Sequence, residues 1–64
     1  MLVNGKQFVI EQNISLYDFL INEGYDIAKV AVEKNGHIVP RNSYKTEIIS
    51  DSDKLEIVCF VGGG

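Results

Sequence analysis

Apolar and polar positions alternate in short runs whose period changes along the chain. Met1-Leu2-Val3 and Lys6-Gln7-Phe8-Val9-Ile10 flank Asn4-Gly5. Asn-Gly between apolar runs predicts a β-hairpin, because both residues tolerate the positive φ of a type I′ turn. A two-residue loop pairs Val3 with Lys6 and Met1 with Phe8. Met1, Val3, Phe8 and Ile10 then share one face, with Lys6 at its rim. The period next becomes helical. Leu16, Phe19 and Leu20 stand at i, i+3 and i+4 and predict a helix with one apolar face. Ser15 is a good N-cap, and Asp18 three residues on makes a shortened capping box and suits the helix dipole. Ile14 and Phe19 have hydrophobic-staple spacing. Gly24 ends the helix as the residue that accepts a left-handed conformation.

Val30-Ala31-Val32-Glu33-Lys34, Asn35-Gly36 and His37-Ile38-Val39 repeat the hairpin signature. Pro40 lacks a donor and stops the ladder. Residues 41–54 are polar and turn-rich apart from Ile48-Ile49. They predict an irregular crossover with a helical turn near Ser43 to Lys45. The last strand runs from Leu55 to Val61. Leu55, Ile57, Cys59 and Val61 alternate with Glu56, Val58 and Phe60. Hairpin, helix, hairpin, connection and strand, without strict βαβ alternation, make an α+β fold: one sheet with one helix packed across one face.

A single helix covers only one face of a sheet. If Leu55, Ile57 and Cys59 face it, Val58 and Phe60 face away. With Leu2 or Val9 they would form an exposed apolar patch, the mark of a partner surface. Cys59, placed on the core face, is read as a buried structural thiol, since no His or Lys beside it in sequence lowers its pKa. His37 follows a turn glycine without companion ligands, so no metal site is expected. Asp51, Asp53 and Glu56 read as a solvated turn.

Composition narrows the function. Sixty-four residues make one domain, which buries only about 60% of its unfolded surface and has little room for a catalytic pocket. The 45% hydrophobic content supports a true core. A net charge of −3 with six scattered Lys and Arg residues argues against a nucleic-acid binder. The one cysteine excludes an intramolecular disulfide and a four-cysteine cluster. No apolar run approaches the roughly 20 residues of a membrane span. No signal-like stretch opens the chain, so a cytoplasmic protein is expected.

The remaining feature is Gly62-Gly63-Gly64 directly after the last strand. Glycine loses the most backbone freedom on ordering and serves stability poorly. It suits a tail that threads a narrow channel and presents a free carboxylate to another protein's active site. Three extended residues reach roughly 10 Å. The expected organisation is a domain over 1–61 and a flexible glycine tail over 62–64.

The chain resembles the ThiS sulfur carriers of thiamine biosynthesis, within the ubiquitin-like β-grasp superfamily. The resemblance spans the whole chain. It rests on Val3-Asn4-Gly5, on Leu16-Tyr17-Asp18-Phe19-Leu20 and on Val30 to Gly36. It continues through Ile38-Val39-Pro40-Arg41 and is strongest over Asp53 to Gly64. Cys59 departs from it, since the family often carries His there. The resemblance implies a mixed sheet of about four to five strands, with the first and last strands parallel and adjacent at its centre. It implies that the protein is not itself an enzyme and binds no cofactor. A ThiF-type enzyme would use ATP to adenylate the Gly64 carboxylate. A cysteine-derived sulfur donor would then convert the adenylate to a thiocarboxylate, and a ThiG-type thiazole synthase would take the sulfur. Gly62 and Gly63 would be recognised as the tail, and Val58 and Phe60 would dock the partners. Alternatives are a carrier for another pathway, such as molybdopterin synthesis, and a ubiquitin-like modifier whose Gly64 ends on a target lysine. An interaction domain with an accidental tail would lose nothing on removal of Gly64.

Overall fold

The computed structural model describes residues 1–60. Its elements in chain order are β1 (Leu2–Val3), β2 (Lys6–Gln7), β3 (Ile14–Ser15), helix α1 (Leu16–Asn22), β4 (Val30–Lys34), β5 (His37–Val39), β6 (Ile48–Ile49) and β7 (Lys54–Cys59). Short 3₁₀ turns cover Ile27–Lys29 and Arg41–Ser43. Five strands form the main sheet in the order β2-β1-β7-β4-β5. β7 is its centre, parallel to β1 and antiparallel to β4.

Both hairpins form, the first at the expected register and the second with Lys34 opposite His37. Val3 pairs with Lys6, and the Phe8 amide donates to the Met1 carbonyl at 2.8 Å. Asn4 and Gly5 sit at φ 51° and 81°, Asn35 and Gly36 at 52° and 84°, as a type I′ turn demands. The helix begins where the Asp18 amide donates to the Ser15 hydroxyl at 3.0 Å. It ends in a Schellman motif: Gly24, at φ 83°, donates to Ile21, and Tyr25 donates to Leu20. Leu16, Phe19 and Leu20 are buried against the sheet, and the Phe8 ring meets Phe19 edge-on at 5.3 Å.

The crossover is more ordered than its composition suggests. Its helical turn falls at Arg41–Ser43, slightly ahead of the expected place. Ile48 and Ile49 pair with Ser15 and Ile14 in a second, two-stranded sheet. Tyr44 and Ile49 are buried in the same core as the helix. The crossover therefore packs on the helix side and leaves the other face of the main sheet open. No helix among the described residues is long and apolar enough to cross a membrane. The boundary expected at residue 61, the glycine tail over 62–64 and the Gly64 carboxylate lie outside the described residues.

Candidate functional site

β7 is the element that leads to the C-terminal glycines. Along it Leu55 and Ile57 are buried beneath the helix, whereas Val58 and Phe60 are 57% and 54% exposed on the opposite side. The alternation is that of any strand, and the register fixes which set faces in. Val32 lies opposite Ile57 and Ala31 opposite Val58, so β4 repeats the division.

Asn4 decides where β7 loses its neighbour. Its side-chain amide donates to the Ile57 carbonyl at 3.0 Å, and its side-chain oxygen accepts from the Ile57 amide at 2.7 Å. The side chain thus stands in for one more residue of β1 while the backbone turns away. Beyond Ile57, among the described residues, β7 pairs with β4 alone, Val58 opposite Ala31 and Cys59 opposite Val30, and just past its end the Phe60 amide donates to the Lys29 carbonyl at 2.7 Å.

That loss of support corrects the reading of Cys59. The thiol is exposed. Alternation puts it with Ile57, opposite the buried Val30, but β1 pairs with β7 only as far as Leu55, so the β1 side of Cys59 is left without cover among the described residues. A second correction concerns the patch. Leu2 shares the open face but lies opposite Lys54, four residues from Val58 and so about 13 Å along the strand. Val9 lies instead in a groove beside the helix with Phe8, Ile10 and Phe19. At the C-terminal end of β7 the patch comprises, among the described residues, Val58, Phe60 and the half-buried Ala31.

Between these apolar groups, Glu33 escaped sequence reasoning, and Glu56, expected in a solvated turn with Asp51 and Asp53, lies half-buried within β7 because the ladder with β4 takes it in. Glu56 lies opposite Glu33, and Glu33 opposite Ile38, which is 77% exposed. The signal was the period-two pattern of residues 30–34, which needed the β4–β7 register to become a surface. Asp51 and Asp53 are clamps rather than a free solvated turn. Asp51 accepts from the Ile10 amide at 3.1 Å and pairs with the Met1 ammonium at 3.2 Å. These contacts, the Ile10 bond foremost, hold its carboxyl below the usual value. Burial pushes the Asp53 carboxyl up, but bonds from Asn35 and Ser50 and the charge of Lys34 outweigh it and leave it lowered. Lys34 is held charged mainly by its 2.8 Å bond to Glu47. His37 is exposed, and no group of three or more His, Cys, Asp or Glu among the described residues could hold a metal ion. The arrangement can present a strand end and an apolar patch to another protein.

Comparison with known proteins places this architecture. Residues 1–64 match the ThiS family. The chain is 42% identical, over its full length, to a thiazole synthase of Paramagnetospirillum magneticum, and 36% identical over 97% of its length to one of Magnetococcus marinus. It spans about a fifth of the length of these two relatives, 20% and 19%. A crystal structure of the thiamine biosynthesis protein ThiS from Geobacter metallireducens superimposes with a TM-score of 0.80 at 27% identity, covering 98% of this chain and 96% of that one.

Proposed function

The chain belongs to the ThiS family, with the ubiquitin-like β-grasp fold, and on that premise we propose that it is a sulfur carrier of thiamine biosynthesis whose cargo rides on Gly64. The observation that carries this reading is the extent of the family match. It takes in Gly62, Gly63 and Gly64 together with the strand that leads to them.

The chemistry follows from the carboxylate. A carboxylate resists nucleophiles because neither oxygen is a good leaving group. One Gly64 oxygen attacks the α-phosphorus of ATP in a ThiF-type enzyme, and pyrophosphate leaves. The mixed anhydride then has AMP as its leaving group. Hydrosulfide released from the cysteine-derived donor attacks the carbonyl carbon, AMP departs with the electrons of the C–O bond, the proton is lost, and a thiocarboxylate remains with no change in the oxidation state of sulfur. A ThiG-type thiazole synthase takes that sulfur into the ring. The partner enzymes supply the catalysis and the nucleotide site. This chain supplies the carrier atom, a tail whose glycines admit close approach, and a rigid handle.

Val58 and Phe60 are the docking residues in this account, since they are exposed at and just beyond the C-terminal end of β7. The thiazole synthase relatives support the choice of partner. Each has a segment similar to this chain within a polypeptide about five times longer, as expected if carrier and synthase work side by side. The test is pyrophosphate release by a ThiF-type enzyme with ATP and the purified chain. The full chain should support release, and a chain lacking Gly64 should not while remaining folded. Equal release from both would overturn the carrier reading.

A further inference from the structure

The open face of the sheet holds a charge arrangement that folding alone does not explain. Glu33 and Glu56 are directly opposite on neighbouring strands, which places their Cβ atoms about 5 Å apart on one face. Like charges in this position destabilise a sheet. Neither carboxylate takes part in an ion pair among the described residues. Apolar groups border them toward β5 and toward the end of β7, and the exposed Lys54, two residues before Glu56 on the same face, borders them on the remaining side without pairing with either. Ile38 is opposite Glu33, and Val58 and Ala31 make the next row toward the tail. Among the described residues nothing covers this face: Ile38 and Val58 are exposed, and the crossover's buried residues pack on the other side.

We propose that Glu33 and Glu56 form the polar centre of the docking face and receive one arginine of the adenylating enzyme. This rests on the carrier reading above. A guanidinium is planar, always charged and weakly hydrated, and its forked donors serve two carboxylates at once. Its aliphatic stem lies on apolar surface, here that of Val58, Ala31 and Ile38. An enzyme that holds the phosphates of ATP against the carrier's tail surrounds its site with cations. The glutamate pair, with apolar groups on its β5 and C-terminal sides, complements such a surface, and the repulsion stored between the glutamates is relieved on docking. Phe60 fixes the end nearest the tail, and the glutamate pair fixes the rotation of the carrier about it.

The test uses the full-length chain with a ThiF-type enzyme at several salt concentrations. Glu33→Gln and Glu56→Gln should each weaken binding about tenfold and flatten its salt dependence. Their urea midpoints should hold or rise, because each removes a like-charge contact. Glu33→Lys should weaken binding further. Affinity and salt dependence equal to wild type in all three variants would overturn this inference alone, provided wild type binds. So would variants that lose only self-association in sedimentation while enzyme binding is unchanged. A wild-type chain that neither binds the enzyme nor supports pyrophosphate release would overturn the carrier reading as well.

Discussion

Replacing Phe60 by alanine separates binding from folding more sharply than any other single change. A phenylalanine presents roughly 200 Å² of surface. Phe60 is 54% exposed, so a partner can cover about 110 Å² more, worth about 2.7 kcal/mol at the usual coefficient. Alanine keeps part of that contact, which leaves a loss of about 2 kcal/mol, or roughly thirtyfold in affinity. The area already covered in the free chain is about 90 Å², of which alanine and the compact unfolded state retain a share, so stability should fall by only about 1 kcal/mol. In a domain of this size that is about 4–8 °C in melting temperature. Leu55, fully buried on the other side of the same strand, provides the contrast: Leu55→Ala should cost about 2–5 kcal/mol. Calorimetric titration against a ThiF-type or ThiG-type enzyme, beside urea unfolding of both variants, measures the two effects. Phe60→Ala unfolding as readily as Leu55→Ala, or binding as tightly as wild type, would refute the reasoning.

Cys59→Ser should change stability by no more than about 0.5 kcal/mol, because the thiol is exposed; a collapse of the urea midpoint would place the residue in the core after all. Asn4→Ala should cost about 2–3 kcal/mol, since it removes two bonds to Ile57 and puts alanine at φ 51°. Asn4→Gly relieves the turn and should lose only the bonds, so equal midpoints for the two variants would deny the turn any share. Asp51 and Asp53 have folded-state pKa values below the ordinary 3.8. Their contribution is therefore complete above that value and lost as pH falls through the lowered folded-state values. Asp53→Asn should flatten the acid limb of a stability–pH curve, and an unchanged limb would show that the carboxyl is not clamped in solution.

Much of this fold was legible because its signals are local. The Asn-Gly turns, the Ser15 cap and the Gly24 stop each act within a few residues, and the structure keeps all of them. The two faces of β7 followed from period-two alternation, and the exposed pair Val58 and Phe60 followed with them. What alternation cannot supply is how far a neighbouring strand extends. Cys59 was misread for that reason: its direction was right, but the support that would bury it ends at Asn4. Asn4 itself looked like a turn residue, and its grip on Ile57 joins positions far apart in sequence. Tyr44 and Ile49 sit in a polar segment without periodicity, so their burial depended on the crossover's path. The opposition of Glu33 and Glu56 needed the register of two distant strands.

Intact mass spectrometry of the purified chain, after incubation with a ThiF-type enzyme, magnesium-ATP and a sulfur source, tests the central claim most directly. The account predicts replacement of one oxygen by sulfur, localised by fragmentation to the carboxyl group of Gly64, and no such product from a chain lacking that residue. An unchanged mass, or sulfur found on Cys59 instead, would contradict it.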